Sequence, residues 1–227
     1  MKELFYDLFG YNKSLFLFIN NSINNEKILI LLKYFSYLFD IEMFAIYYCF
    51  IVLAIFVRLK SIKNNENRYQ KFKSISNNML IIGIAYTIFG FLYAFLKFYI
   101  NMPRPYCSLD ISQFKTIADT ASSRCLSSFP SSHAGISFMI AYFLYSRTRN
   151  FFIKIILIFG VFLVCVSRIS LAMHYPSDIF YGIILSYLVI KLSQKVCKNK
   201  YFMSFSQYIL DIIYSNLLTN AYNRKYK

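Results

Sequence analysis

Residues 79–96, M-L-I-I-G-I-A-Y-T-I-F-G-F-L-Y-A-F-L, carry no charge and no proline. Such a run is at home in a lipid bilayer, whose hydrocarbon core takes about 20 apolar residues with every backbone group bonded inside the segment. It is one of a series. Asp40 and Glu42 lead into the uncharged run 43–57, so 40–57 reads as the first span, and 134–146, 151–166 and 179–190 follow. Hydrophobic residues make up 58% of the chain and aromatic residues 20%, too apolar for an ordinary soluble domain. The expected fold class is therefore all-α: a polytopic membrane helix bundle, one domain over 1–227 with its core at 40–197. About five spanning helices are expected, or six if 28–57 folds as a hairpin. Residues 4–19 and 201–227 are expected as interfacial amphipathic helices. Residues 28–39 read as an extension of the first span or a shallow half-helix.

The net charge is +15, from 25 Lys+Arg against 10 Asp+Glu. In a soluble chain that excess would suggest nucleic acid. Here it falls between the apolar runs, which speaks for membrane topology and against a nucleic-acid partner. A basic linker, 58–73, holds Arg58, Lys60, Lys63, Arg68, Lys71 and Lys73; Arg147, Arg149 and Lys154 mark a short turn; Lys191, Lys195, Lys198 and Lys200 close the last span. Five spans put all three groups on one side, the cytoplasmic one. The chain is then a multi-pass protein of the cytoplasmic (inner) membrane, with loop 101–130 and stretch 167–178 facing the periplasm or the outside. Residues 1–25 carry Glu3 and Asp7 early and lack a clean apolar core, so they do not read as a cleavable signal peptide.

Three polar clusters stand at the outer ends of these spans: K-F-Y-I-N-M-P-R-P at 97–105, F-P-S-S-H at 129–133 and S-R-I-S-L-A-M-H-Y-P-S-D at 167–178. Taken singly, each residue has an ordinary structural reading: Lys97 as an interface anchor, Ser131 as a helix cap, Arg168 as an ion-pair partner, His133 as a buried hydrogen-bonding group. Taken together they supply three cations, Lys97, Arg104 and Arg168, suited to a multiply charged anion. Ser131 and Ser132 follow Pro130 at a helix start, where free N–H groups and the helix dipole favour an anion. His133 points to the same place, and His174 has Asp178 four positions on, the pattern of an oriented base or nucleophile. No comparable pattern occurs on the inner side.

The three stretches resemble the type-2 phosphatidate phosphatase superfamily, membrane lipid-phosphate phosphatases related to vanadium haloperoxidases. That family's signature is a Lys six residues before Arg-Pro, a P-S-G-H, and Ser-Arg, five residues, His, three residues, Asp. Lys97 with Arg104-Pro105, Pro130–His133, and Ser167-Arg168 with His174 and Asp178 fit it in order. One departure is Ser132, where the family usually has Gly. The resemblance implies roles. His174 would be the nucleophile that forms a phosphohistidine, Asp178 its orienting carboxylate and His133 the general acid. Lys97, Arg104, Ser131, Ser132 and Arg168 would form the phosphate cradle. The implied activity is removal of phosphate from a membrane lipid: undecaprenyl diphosphate, lipid A, phosphatidylglycerophosphate or phosphatidate. Two alternatives use the same residues, a lipid phosphotransferase and a non-catalytic phospholipid-binding membrane protein.

Phosphoryl transfer at such a site needs positioning and charge neutralisation, which three cations and a helix end can supply. No cofactor and no metal are expected, since the outer side offers only Asp110, Asp119 and Asp178 as carboxylates. The expected partners are the bilayer and its lipid phosphate. Cys107 and Cys125 both fall in loop 101–130, while Cys49, Cys165 and Cys197 fall in or at the inner ends of spans. In an oxidising outer compartment the two loop cysteines are natural disulfide partners.

Overall fold

The structure is a computed structural model and describes residues 6–7, 9–23, 25–62, 64–113 and 125–216. Its elements are α1 (Tyr11–Ser22), α2 (Glu26–Tyr37), α3 (Ile41–Lys60), α4 (Asn65–Ile100), the short α5 (Pro105–Ser108), a 3-10 turn (Ile111–Gln113), α6 (Ser132–Tyr145), α7 (Phe151–Ser170), α8 (Pro176–Lys198) and α9 (Lys200–Tyr214). The fold is all-α, with no strand among the described residues. Asparagines start four helices by accepting from the free N–H groups of the first turn: Asn25 for α2, Asn64 for α4, Asn150 for α7 and Asn199 for α9. Proline occupies the first position of α5 and α8, where its missing N–H costs nothing.

Among the described residues, four segments are long and apolar enough to cross a membrane: Ile41–Lys60, Asn65–Ser108, Phe151–Ser170 and Pro176–Lys198. The fifth expected span exists as α6, but it has 14 residues. At 1.5 Å per residue that is about 21 Å, short of a hydrocarbon core of about 30 Å. Of the two readings of 28–39 the structure agrees with the short half-helix rather than an extension of the first span: residues 28–37 belong to the separate 12-residue helix α2, and 38–39 form the turn before α3. The basic stretch 58–73 is mostly helical rather than a linker, since α3 continues to Lys60 and α4 already starts at Asn65. Lysine, arginine and glutamine are good helix formers. The buried Arg68 guanidinium satisfies the Ile62 carbonyl left over at the turn.

The chain divides into two compact units. The first comprises residues 1–44 and 88–188, the second 45–87 and 189–227. In the second, Leu59, Phe72 and Tyr214 form a small core, Tyr69 donates to Asp211 at 2.8 Å, and an apolar cavity of about 650 Å³ is lined by residues such as Phe56, Phe72 and Leu210. Residues 217–227, with the basic tail, lie outside the described residues.

In the first unit, Phe16, Ala134, Ile169, Ala172, Tyr175 and Ile179 make the core. Phe16 draws α1 into the interior, so α1 is more than an interfacial helix. Asn12, Phe16 and Asn20 recur every four residues on its buried face, while Tyr11, Leu15 and Phe18 stay exposed. The asparagines are tied in: Asn12 Oδ1 accepts from the Ser177 N–H at 3.0 Å, and Asn20 Nδ2 donates to the Ser170 carbonyl at 2.8 Å. Helices α6 and α8 approach backbone to backbone. The Ser131 N–H donates to the Asp178 carbonyl at 3.0 Å, and Ser186 Oγ donates to the Gly135 carbonyl at 2.8 Å. A Cβ on Gly182 would strike the Ser131 carbonyl oxygen, and one on Gly135 would come within 3.0 Å of the Gly182 oxygen. Small residues are the usual means of such contact between helices in membranes.

Cys107 and Cys125 are joined, with Cα atoms 5.7 Å apart. Beside that bond the Arg104 N–H donates to the Cys125 carbonyl at 2.8 Å and the Ser128 N–H to the Met102 carbonyl at 2.9 Å.

Two outcomes test this packing. Gly182→Ala should cost about 1–3 kcal/mol through overpacking. Gly160→Ala, at a helical site with no atom within 4 Å of the new Cβ, should leave thermal unfolding in detergent unchanged or slightly raised. Equal effects would contradict the close α6–α8 approach. Reduction of the Cys107–Cys125 bond, which closes a loop over a sequence separation of 18, should lower stability by about 3 kcal/mol in the chain-entropy model. Non-reducing peptide mapping that finds both thiols free would remove the basis for that figure.

Candidate active site

The third cluster is shaped by the way α7 ends. Leu171 N–H donates to the Ser167 carbonyl, and the N–H groups of Met173 and His174 both reach back to the Arg168 carbonyl, at 3.1 and 3.3 Å. Ala172 takes a left-handed conformation, φ 54°, uncommon for a residue with a side chain. This tight reversal sets His174 between the end of α7 and the start of α8, almost fully buried at 1% exposure. Its Nδ1 lies 3.7 Å from Asp178 Oδ2. Asp178, in the first turn of α8, is itself fully buried. Arg168 projects from the last turn of α7, and its Nη1 donates to Ser36 Oγ at 3.2 Å; beside it Ser167 Oγ donates to the Leu32 carbonyl at 3.0 Å. These bonds dock α2 against α7.

The first two clusters are brought to the same place by the links already described. Arg104 is buried, with Nη1 against Met173 Sδ at 3.3 Å, directly before His174 in the chain. Lys97 lies over the Tyr93 ring at 4.6 Å. Ser132 begins α6, so the family's glycine position takes an ordinary helical conformation that serine can adopt. His133 follows it, with Nε2 4.0 Å from Asp40 Oδ2.

A cavity of about 460 Å³ unites these groups. Lys97, Arg104, Ser132, His133, Arg168 and His174 all line it. Asp178 stands behind His174 and does not reach the cavity surface. Ser131 does not line it either. Its side chain is fully buried with no hydrogen-bond partner for Oγ among the described residues, and its main chain fastens α6 to α8. His133 Nδ1 is likewise buried without such a partner. No cluster of His, Cys, Asp or Glu suited to a metal ion occurs among the described residues.

The structure adds residues that sequence reasoning missed. Lys33, Tyr34, Tyr37 and Asp40, from α2 and the turn after it, also line the cavity. Asp40 is a further carboxylate at the site, beside those counted from the sequence. Asp119 of that count lies outside the described residues. The sequence signal for Asp40 is its place at the start of the first apolar run, 43–57. Behind the cavity, Asp178 accepts three hydrogen bonds: from the Tyr6 hydroxyl to Oδ1 at 2.7 Å, from the Tyr175 N–H to Oδ2 at 2.8 Å and from the Ser128 hydroxyl to Oδ2. Ser128 stands just before the second cluster; Tyr6 carries no sequence signal at all.

Burial, and then the charges of Arg168, Arg104 and Lys97, hold His174 well below the ordinary histidine value. Its imidazole is therefore neutral at physiological pH. A buried neutral imidazole facing three cations has a free lone pair and an anion-binding surface beside it, the requirements for attack on a phosphorus atom.

Comparison with curated proteins finds no match. Among solved structures, the crystal structure of Aquifex aeolicus LpxE is similar, with a TM-score of 0.59, 23% identity, and coverage of 82% of this chain and 95% of that one. At that identity the likeness concerns the fold. A family model, PAP2 superfamily, matches residues 78–201, a stretch that holds all three clusters and more than half of the chain. The chain belongs to the PAP2 superfamily.

Proposed function

We propose that this protein is an integral membrane phosphatase that removes phosphate from a membrane lipid through a phosphohistidine on His174. The observation that carries the proposal is the convergence on one cavity of two histidines and four cations, Lys97, Arg104 and Arg168 with Lys33 added by the structure, and a buried carboxylate behind one histidine. Family and fold support a lipid phosphatase.

The chemistry follows from the placement. The ring nitrogen of His174 facing Asp178 is Nδ1, which leaves Nε2 for phosphorus. Lys97, Arg104 and Arg168 neutralise the phosphoryl oxygens, together with the N–H groups at the start of α6. As the Nε2–P bond forms, the bond from phosphorus to the lipid oxygen breaks, and that oxygen takes the proton of a His133 that enters the step as imidazolium, its charge balanced by the bound phosphate and by Asp40, 4.0 Å from its Nε2. A water then gives a proton back to His133 and attacks phosphorus. The P–N bond breaks, inorganic phosphate leaves and His174 is restored. The cationic cradle supplies the charge neutralisation, so we expect activity to survive EDTA. The positive-inside pattern directs the site to the extracytoplasmic face of the inner membrane. Undecaprenyl diphosphate, lipid A, phosphatidylglycerophosphate and phosphatidate form the substrate panel.

Phosphate release by the purified protein against that panel, with and without EDTA, is the direct test. His174→Ala should abolish release and Asp178→Asn should leave a weak residue; wild-type-like release by His174→Ala would sink the mechanism. His133→Ala should slow alkyl phosphates by roughly 10²–10⁴-fold and an activated aryl phosphate much less. Equal losses on both would argue against an acid role.

The neutral state of His174 also has a signature in stability. In the unfolded chain the imidazole titrates near its ordinary value of about 6.5. Below that pH the unfolded state binds a proton that the folded state refuses, so stability is lost as pH falls. His174→Gln should flatten the decline in thermal stability between pH about 6.5 and 5. A decline unchanged by the substitution would contradict a neutral buried His174.

A further inference from the structure

Asp178 has no exposure to solvent, and a carboxylate in that position must find its hydrogen bonds in the protein. Three donors meet it: Tyr6 on Oδ1, and Ser128 and the Tyr175 N–H on Oδ2. His174 Nδ1, at 3.7 Å from Oδ2, stands beyond hydrogen-bond distance. The donor on Oδ1 comes from the far end of the sequence. Tyr6 is seated by contacts that involve its whole body: its ring meets Phe129 edge-on at 6.0 Å and Tyr175 at 6.3 Å, and its carbonyl accepts from the Ser177 hydroxyl. The segment it belongs to is tied down again where Asn12 accepts from the Ser177 N–H. Burial and the neighbouring Asp178 charge push the Tyr6 hydroxyl far above its usual range, so it stays a donor at every physiological pH.

We propose that Tyr6 is a positioning residue for phosphoryl transfer, acting through Asp178 on His174. The proposal rests on the reading of His174 as the nucleophile. With Oδ1 held by Tyr6, the carboxylate plane is fixed and Oδ2 is turned toward Nδ1. When Nε2 bonds phosphorus, the ring keeps its Nδ1 proton and becomes cationic. With three donors fixing its lone pairs, the carboxylate is held in place to close on Nδ1–H and balance that charge. The plain alternative is that Tyr6 only staples the N-terminal segment to the fold.

Tyr6→Phe separates the two, because it keeps the ring contacts and removes one oxygen. In the wild-type background it should lower kcat by roughly ten- to hundred-fold, the worth of one hydrogen bond to a charged group, with KM changed less than twofold. In an Asp178→Asn background it should cause little further loss, since neighbours acting through one group are not additive. Orthovanadate, a tetrahedral phosphate analogue that becomes five-coordinate when a histidine nitrogen bonds vanadium, gives a readout that needs no turnover: Tyr6→Phe should weaken its binding in the wild-type background only. Asn12→Ala loosens the same segment without touching Asp178 and should lower the melting temperature while kcat holds. Equal losses from Tyr6→Phe in both backgrounds, or a kcat loss reproduced by Asn12→Ala, would overturn the proposal. Wild-type protein that binds vanadate but releases no phosphate would overturn the phosphatase reading instead, and the Tyr6 coupling would then be read from binding alone.

Discussion

The main-chain hydrogen bond from Ser131 to Asp178 is the junction on which the site depends. It joins the start of α6 to the start of α8, and thereby sets the second cluster against the third. The bond exists because the two backbones touch, and they touch because Gly182 presents no side chain to Ser131. Neither partner contributes its side chain to the cavity surface. His133 and His174 are carried there as passengers of two helix starts whose spacing is fixed at the main chain.

The electrostatics of the cavity are one-sided by construction. Lys33, Lys97, Arg104 and Arg168 line one space against a single carboxylate, Asp40, with Asp178 withdrawn behind His174. Burial first, and then this positive field, hold His174 well below the ordinary histidine value. The charges suited to an anion are therefore among the causes that favour a neutral ring beside it. The scaffold holds these charges with docking bonds such as Arg168 to Ser36 and with the disulfide beside Arg104.

Much of this was legible in the sequence, for local reasons. The apolar runs announced the long helices, and the cation and histidine positions lie within short stretches at their ends. What could not be read came from distant segments. Tyr6 reaches Asp178 across 172 residues and Ser36 reaches Arg168 across 132, and no local pattern encodes either pairing. Asn12 and Asn20 look like the wet face of a surface helix, yet they are the buried one, because their partners are backbone groups at the ends of α7 and α8. Residues 58–73 looked like a linker because lysines suit a loop and an exposed helix equally well. The demand on Gly182 was hidden because it is made by a carbonyl oxygen rather than by a side chain.

The brevity of α6 bears on how a lipid would meet the site. A helix of about 21 Å set along the membrane normal with its Tyr145 end at one surface would leave its Ser132 end about 9 Å below the other. The turn that begins α6 would then be recessed toward the acyl chains. A headgroup drawn sideways into such a recess keeps its tails in hydrocarbon, whereas lifting the lipid outward by the same distance would expose several methylenes at about 0.8 kcal/mol each. With α6 so placed, lateral entry from the bilayer would be the inexpensive route.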